Sequence, residues 1–327
     1  MKKIGMLFFM ACLMSTGRVG AAVLEHHEAL KAKPAEVPRS ILAEAGVGTE
    51  EAGLKIFNGA KNGFHQENGQ IRYYEDGKVH TGFLKSNGKK YYFDADGNMV
   101  TGEKKIKNQS YCFGTDGVMQ TGFVTQETKG SRVNVFYDED GRLKTGSFQV
   151  DTVQYKAKKD TGEIYFVKNL TEPVCQRPEL PTGCEITSWT MMANYAGITI
   201  SKTEAADEMP TSSDPNQGFV GSPYASEGGS LVVFPGGLED MTQEYLGSYV
   251  NMTGCSYEQL EDKLRDKRLV VVWVTRLDGF GSHTIALTGY DRESLYYNDP
   301  WTGEEEKIDR EYFETIWAEN EHMAMSY

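Results

Sequence analysis

The chain has 327 residues, enough for two domains, and a formal net charge of −13. That charge is divided unevenly: residues 171–327 carry 27 acidic and 10 basic side chains, a net of −17, while residues 1–170 carry 20 and 24, a net of +4. So acidic a C-terminal half excludes nucleic acid as its partner, because phosphate binding needs a basic face; cationic peptides or a basic cell-surface polymer suit it better.

Lys2 and Lys3 precede an apolar run from Ile4 to Met14, and Val19-Gly20-Ala21 offers small residues for cleavage near Ala21 or Ala22. Residues 1–22 therefore read as an export signal. The run is far shorter than the ~20 apolar residues of a bilayer span, and no other segment could span, which predicts a protein secreted or attached to the cell wall. Phe9-Met10-Ala11-Cys12 offers a weaker, lipoprotein-type cleavage site. Once the signal is gone, Cys112, Cys175, Cys184 and Cys255 remain, too few for a disulfide-built scaffold. Cys175 and Cys255 are candidates for a bridge that spacing alone cannot establish. No CxxC pair or Cys/His cluster suggests zinc, and no cofactor is expected. Residues 23–57, rich in Ala, Glu and Lys with Pro34 and Pro38, read as a linker.

Residues 58–168 repeat. Asp-Gly pairs fall at Asp76, Asp96, Asp116 and Asp140, each followed by Thr-Gly (Thr81, Thr101, Thr121, Thr145) and preceded by aromatic clusters around Tyr74, Tyr92, Phe113 and Tyr137. An aromatic strand, an Asp-Gly turn and a second short strand predict one hairpin per repeat. A single hairpin cannot bury its own face, so the units should stack into an all-β hairpin-repeat solenoid, with Gly63-Phe64 and the stretch through Tyr165-Phe166 as its caps. The series resembles the cell-wall-binding repeats of Gram-positive surface proteins, which implies attachment to choline-bearing teichoic acid or to a cell-wall polysaccharide. It departs from that family in one respect. All four tryptophans (Trp189, Trp273, Trp301, Trp317) lie outside the repeats, and Phe83, Glu103, Phe123 and Ser147 follow the Thr-Gly pairs. Cation–π capture of a quaternary ammonium is best on tryptophan, so binding to choline, binding to glucan and a pure spacer role all stay open.

Residues 169–327 hold the chemistry. Thr182-Gly183-Cys184-Glu185 reads as a capping box, with Thr182 at the N-cap and Glu185 at the third helical position. Cys184 then falls in the first turn of a helix whose apolar face is Ile186, Trp189, Met192, Ala193 and Ala196, and which stops at Gly197. Unpaired backbone N–H groups there favour a thiolate, so the Cys184 pKa is expected to be depressed.

The base follows by elimination. Four of six histidines (His26, His27, His65, His80) precede position 100, leaving His283 and His322. His283 opens a β-prone run after Gly279-Phe280-Gly281-Ser282 and is the better placed. His322 lies in the last six residues. Strands over 283–290 and 294–298 predict a hairpin turning at Asp291-Arg292-Glu293, which brings Asp299 alongside the histidine's strand to fix its tautomer. The register of that hairpin is not readable from sequence. Asn298-Asp299-Pro300 also reads as a simple turn, with Asp278 and Asp291 as the other carboxylates available.

Around these residues, Ser201 and Ser256 open further capping boxes, predicting helices near 202–209 and 257–267. Leu269–Thr275 reads as a central strand, EEEKID as another, and 310–318 as a helix. The Gly/Pro-rich stretch from Asp214 to Gly237 has no clear periodicity and is expected to wall a substrate groove. Helices first and an antiparallel sheet second make an α+β domain.

Gln176, PELPTGC with Cys184, HTIALTGYD with His283 and NDP with Asp299 together resemble the C39-like cysteine peptidases, bacterial enzymes of papain-like fold. The resemblance covers about 155 residues. It implies Cys184 as nucleophile, His283 as base, Asp299 as its orienter and Gln176 as a donor to the oxyanion, with peptide or protein as substrate. Two other readings share the residues: an amidase or transpeptidase acting on wall peptides, and an adhesin whose peptidase-like domain is inactive.

Overall fold

A computed structural model describes residues 60–128, 131–226 and 231–327; the export signal and linker expected over 1–57 lie outside these residues. The chain divides into two units. One takes residues up to Lys104 with Phe113–Met119, the other Lys105–Cys112 with Gln120–Tyr327.

The first unit is built of hairpins. Strands β1 (Gly63–Glu67), β2 (Gln70–Glu75) and β3 (Lys78–Val79) form one sheet, and β4 (Gly82–Ser86) pairs β5 (Lys89–Phe93) in the next. Their tight turns are Asn68-Gly69 and Asn87-Gly88, with φ of 51° and 77°, then 49° and 77°. Two successive positive φ values are what a two-residue hairpin turn matching the strand twist demands, and Asn-Gly supplies them at least cost. The expected hairpin is thus corrected. Each aromatic strand pairs mainly with the strand before it, across Asn-Gly in the first two hairpins and across Lys107-Asn108 (φ 45° and 69°) in the next. Asp76-Gly77 does join β2 to the two-residue β3, but Asp96-Gly97 and Asp116-Gly117 lead only to the single bridges Phe93–Met99 and Phe113–Met119. The cause is local: Asp94 Oδ1 accepts the N–H groups of Asp96 and Asn98, closing a tight loop where a strand would need extended backbone. Stacking follows from those bridges. Met99 N–H donates to Ile71 O and Met119 N–H to Lys90 O, both at 2.8 Å, over a buried core of Phe64, Ile71, Leu84, Tyr91 and Phe93. Strands β6 (Gly102–Ile106) with β7 (Gln109–Phe113), and, within the second unit, β8 (Gly122–Thr128) with β9 (Ser131–Tyr137), repeat the hairpin.

The second unit centres on a nine-stranded sheet whose pairings are all antiparallel. Its strands are β10 (Gly146–Val150), β11 (Val153–Ala157), β12 (Ile164–Asn169), β13 (Val250–Asn251), β14 (Val270–Val274), β15 (His283–Tyr290), β16 (Ser294–Asp299), β17 (Glu304–Asp309) and β18 (Ala324–Ser326). They lie in the order β10-β11-β12-β15-β14-β18-β13, with β16 pairing β15 and β17. The domain boundary expected between 168 and 169 falls inside β12, where Val167 and Lys168 pair with Tyr290 and Gly289 of β15. The approach is close: a Cβ on Gly289 would stand 2.2 Å from Val167 O, so only glycine admits β12 there.

Among the described residues, five α-helices accompany the sheet: α1 (Cys184–Tyr195), α2 (Lys202–Glu208), α3 (Glu239–Leu246), α4 (Tyr257–Arg265) and α5 (Arg310–Ala318). Strand β14, predicted central, is buried on both faces and shows why. Val270, Val272 and Val274 join one core with Leu260 and Leu264 of α4 and Phe313 and Trp317 of α5. Leu269, Val271 and Trp273 join the other with Ile186, Trp189 and Met192 of α1. The period-two alternation of a strand divides one apolar run between two layers of helix. The capping boxes at Ser201 and Ser256 form as their spacing predicts. The one at Thr182 does not. Gly183 is the N-cap, and the Thr182 hydroxyl instead donates to Ala225 O at 2.9 Å, with the carbonyls of Ser222 and Pro223 beside it, pinning the loop across from the helix start.

Candidate active site

The sheet brings His283 and Asp299 together, and the helix that begins at Cys184 is docked on the same strand. His283 is the first residue of β15, paired with Val274 of β14, and Asp299 is the last of β16. The register of the hairpin puts their side chains in contact: His283 Nε2 lies 2.9 Å from Asp299 Oδ1, with both residues almost wholly buried. Asp299 Oδ1 also accepts the Trp301 N–H at 2.7 Å. Burial opposes the Asp299 charge, but the bonds to His283 and Asp278 outweigh it and hold the carboxyl below its usual range. With Nε2 engaged, Nδ1 is the nitrogen left for a thiol. Phe280 stacks on the imidazole at 5.1 Å and is itself met edge-on by Trp301 at 5.0 Å, so the ring is fixed by a bond at one edge and aromatic faces beyond it.

The other two carboxylates considered part company. Asp291 is consumed by its turn, accepting the Glu293 and Ser294 N–H groups and the Tyr296 hydroxyl. Asp278 reaches the site. Its backbone is left-handed (φ 53°), and its carboxyl is pushed up to about 6, first by sharing a hydrogen bond with Asp299 and then by burial. Asp299 Oδ2 is buried with no other donor. Ligand atoms of Asp278, His283 and Asp299 lie within 4.8 Å of one another, but Nε2 and Oδ1 are already bonded to each other, and a cation would have to part them. His322 stands apart, paired with Glu314 at 3.0 Å and edge-on to Trp317.

Cys184 is the first residue of α1, which is docked on the histidine's strand by a bond of 3.0 Å from Ser188 Oγ to Thr284 O. The residue is partly exposed, as a nucleophile must be, and none of the four described cysteines is in a disulfide. The expected depressed thiol is corrected. Burial of the sulfur, then the charge and hydrogen bond of Glu185, push Cys184 well above its ordinary value; the backbone and hydroxyl of Thr284 act the other way without prevailing. The first-turn dipole is simply outweighed by what surrounds the sulfur.

Gln176 sits in the turn ahead of α1, only 2 % exposed. Its backbone N–H donates to Pro300 O at 2.7 Å and its carbonyl accepts Leu180 N–H, tying the residue to both the Asp299 segment and the helix start. Its Nε2 donates to Pro181 O at 2.9 Å. Arg177 beside it lies over the Trp301 ring at 4.0 Å. Glu185, Phe280, Thr284 and Trp301 were not picked out by sequence reasoning. Phe280 and Trp301 stand in the loops next to His283 and Asp299, and that proximity was the one signal available. A cavity of about 500 Å³, lined by residues such as Met252, Cys255 and Lys263, opens elsewhere and holds none of these groups.

Comparisons with known proteins meet these observations from another side. The model of the Peptidase_C39 like family matches residues 153–325, more than half of the chain, and that of the "Putative cell wall binding repeat" matches residues 81–99. The uncharacterized protein YvpB of Bacillus subtilis (strain 168) is 31% identical over 170 residues, covering 43% of this chain and 67% of that protein. Among solved structures, a "putative C39-like peptidase" from Bacillus anthracis is 34% identical over 48% of this chain and 94% of its own, with a TM-score of 0.45. Choline binding protein F from Streptococcus pneumoniae is 28% identical over 32% of this chain and 35% of its own, with a TM-score of 0.29.

Proposed function

From the premise that the chain belongs to the Peptidase_C39 like family, we propose that it is an exported cysteine peptidase held at the cell wall by its repeats. One observation carries the chemistry. A buried His283–Asp299 pair, closed at 2.9 Å, sits on the strand against which the helix of Cys184 is docked. A thiol at a helix start, an imidazole and a carboxylate that orients it are what nucleophilic acyl transfer requires.

In this reading His283 Nδ1 takes the Cys184 proton, and the sulfur attacks the peptide carbonyl carbon. The carbonyl oxygen gains charge and is met by the Cys184 N–H and the second amide hydrogen of Gln176. His283 returns the proton to the leaving amine, and water then releases the acyl group from sulfur by the same route. Asp299 keeps the Nε2 proton in place throughout, so that Nδ1 remains the basic nitrogen. Phe280 and Trp301 shield that bond from water, which strengthens it. The net charge of −17 over residues 171–327 favours cationic peptides. The amidase and transpeptidase readings share every step up to the acyl-enzyme and differ only in the acceptor.

Peptides released from candidate substrates, compared by mass spectrometry between wild type and Cys184→Ala, test the proposal. The expected result is a set of cleavages present only in wild type. One observation favours the inactive-adhesin reading: the resting thiol is raised, not lowered. Identical peptide sets from the two proteins would establish that reading instead.

A further inference from the structure

Glu185 follows the nucleophile in the chain and is 3 % exposed, yet the mechanism above leaves it idle. Its two carboxyl oxygens face different ways. Oε2 receives the Cys184 Sγ–H at 3.2 Å, and Oε1 receives the Val233 N–H at 3.4 Å. Val233 is itself held, because its carbonyl accepts the buried Trp273 indole N–H at 2.9 Å. A carboxyl has thus been clamped in the interior with one oxygen on the reacting sulfur.

We propose that Glu185 is a further catalytic residue of this site, sharing a proton with Cys184 and so deciding in which form the sulfur rests. The inference depends on the reading of Cys184 as nucleophile. The step balances as a single proton transfer: the S–H bond breaks, an O–H bond forms on Oε2, and the electron pair stays on sulfur. When Glu185 is ionised it accepts the thiol proton, competes with His283 for it, and places a negative charge beside any thiolate. When Glu185 is protonated its O–H donates to sulfur, which stabilises the thiolate by a charge-assisted bond. Few groups face this carboxyl. On α1 they are the Cys184 thiol and the residue's own N–H, on the segment before residue 235 the Val233 N–H, and on β15 His283, whose effect favours the ionised form. Burial dominates and pushes Glu185 up to about 7. Once Glu185 ionises, above about 7, its charge therefore holds back the ionisation of the sulfur beside it.

The rate of Cys184 alkylation by iodoacetamide, read by peptide mapping of the full chain across pH, tests this without any substrate. In wild type the rate climbs with pH up to about 7, levels off above it, and climbs again only when the pair loses its second proton. In Glu185→Gln, which keeps the shape and an acceptor for Val233, the levelling disappears and the rate one pH unit higher exceeds wild type roughly tenfold, the equivalent of one pKa unit. A monotonic rise that is the same in both proteins overturns the proposal. Should the Gln variant not fold, the infrared band of a protonated buried carboxyl decides. The proposal requires that it be present in wild type below about pH 7, lost above it, and shifted by Cys184→Ala. Its absence overturns the proposal. Failure to cleave any peptide would count against the peptidase reading alone, since the alkylation profile is read independently of turnover.

Discussion

The hairpins of residues 63–93 and the sheet that carries His283 are both antiparallel β-structure, yet different physics holds them. In the hairpins, partners are neighbours in sequence. Phe64 pairs with Tyr73 across Asn68-Gly69, and Phe83 with Tyr92 across Asn87-Gly88. Turn conformation does the organising, and each core is a handful of aromatic rings. In the sheet, strand β14 lies between β15 and β18, the last strand of the chain, and β12 reaches β15 from more than 110 residues away in sequence. Such pairings cost loop-closure entropy that only a large, dry interior repays, and Trp189, Trp273 and Trp317 are each fully buried in it. Local structure suits a part that needs only to recur. Chemistry needs residues far apart in sequence carried on elements docked to each other, as the Cys184 helix is on the His283 strand, and only the non-local part does that.

The comparison can be broken most severely by truncation. A chain beginning at Asn169 lacks β10, β11 and nearly all of β12. We expect it to show no cooperative thermal transition and no activity, whereas a chain beginning at Lys105 keeps the whole second unit and should melt cooperatively. Circular dichroism melting of the two separates these outcomes, and a well-folded, active 169–327 fragment would show that the catalytic sheet ends at β12. Next in size is His283→Ala, which should cut turnover on the order of 10³-fold while leaving the melting of the hairpins unchanged. Asp299→Ala should cost less, because an orienter tunes the base without replacing it. If His322→Ala were the crippling change, the base has been misassigned.

Trp273→Ala, in β14, should lose about 3–5 kcal/mol in denaturant unfolding, well above what one hairpin residue contributes. A smaller effect depends on pH. Glu185 has its folded pKa raised by burial to about 7 from an ordinary 4.5, so its contribution to stability is full below about 4.5 and is lost as pH rises through about 7. The midpoint of wild type should therefore fall over that window relative to Glu185→Gln, and equal slopes would argue that the carboxyl is not buried in solution. The smallest change is Gly88→Ala. At φ 77° it should cost roughly 1–2 kcal/mol in the hairpins and nothing measurable in alkylation of Cys184.

The same contrast explains what could be read beforehand. Short-range chemistry was legible: the capping boxes at Ser201 and Ser256, the turn at Asp291, the strand around Val272 and the hairpin that joins His283 to Asp299. Where two local solutions competed, the choice was not. Thr182 has the spacing of a cap but finds three carbonyls across a loop, and the Asp-Gly pairs are outdone as hairpin turns by Asn-Gly. The site divides in the same way. Cys184, His283 and Asp299 carry residue types that announce their chemistry. The burial that raises the thiol, the carboxyl of Glu185 turned onto it, and the Phe280–Trp301 pair around the imidazole arise only when distant segments meet. The pairing of β12 with β15 belongs with them, since nothing in Ile164–Asn169 names its partner.

The glycine at that last pairing constrains how such a protein can be inherited. Repeats upstream of residue 146 can be duplicated, lost or exchanged without touching a strand of the catalytic sheet. A recombination joint between 146 and 169, by contrast, must deliver a new strand that still fits against Gly289, where the opposing carbonyl of Val167 leaves no room for a side chain. Lineages that reshuffle the repeats around this domain should therefore carry β10 to β12 along with it as a single piece of heritable sequence.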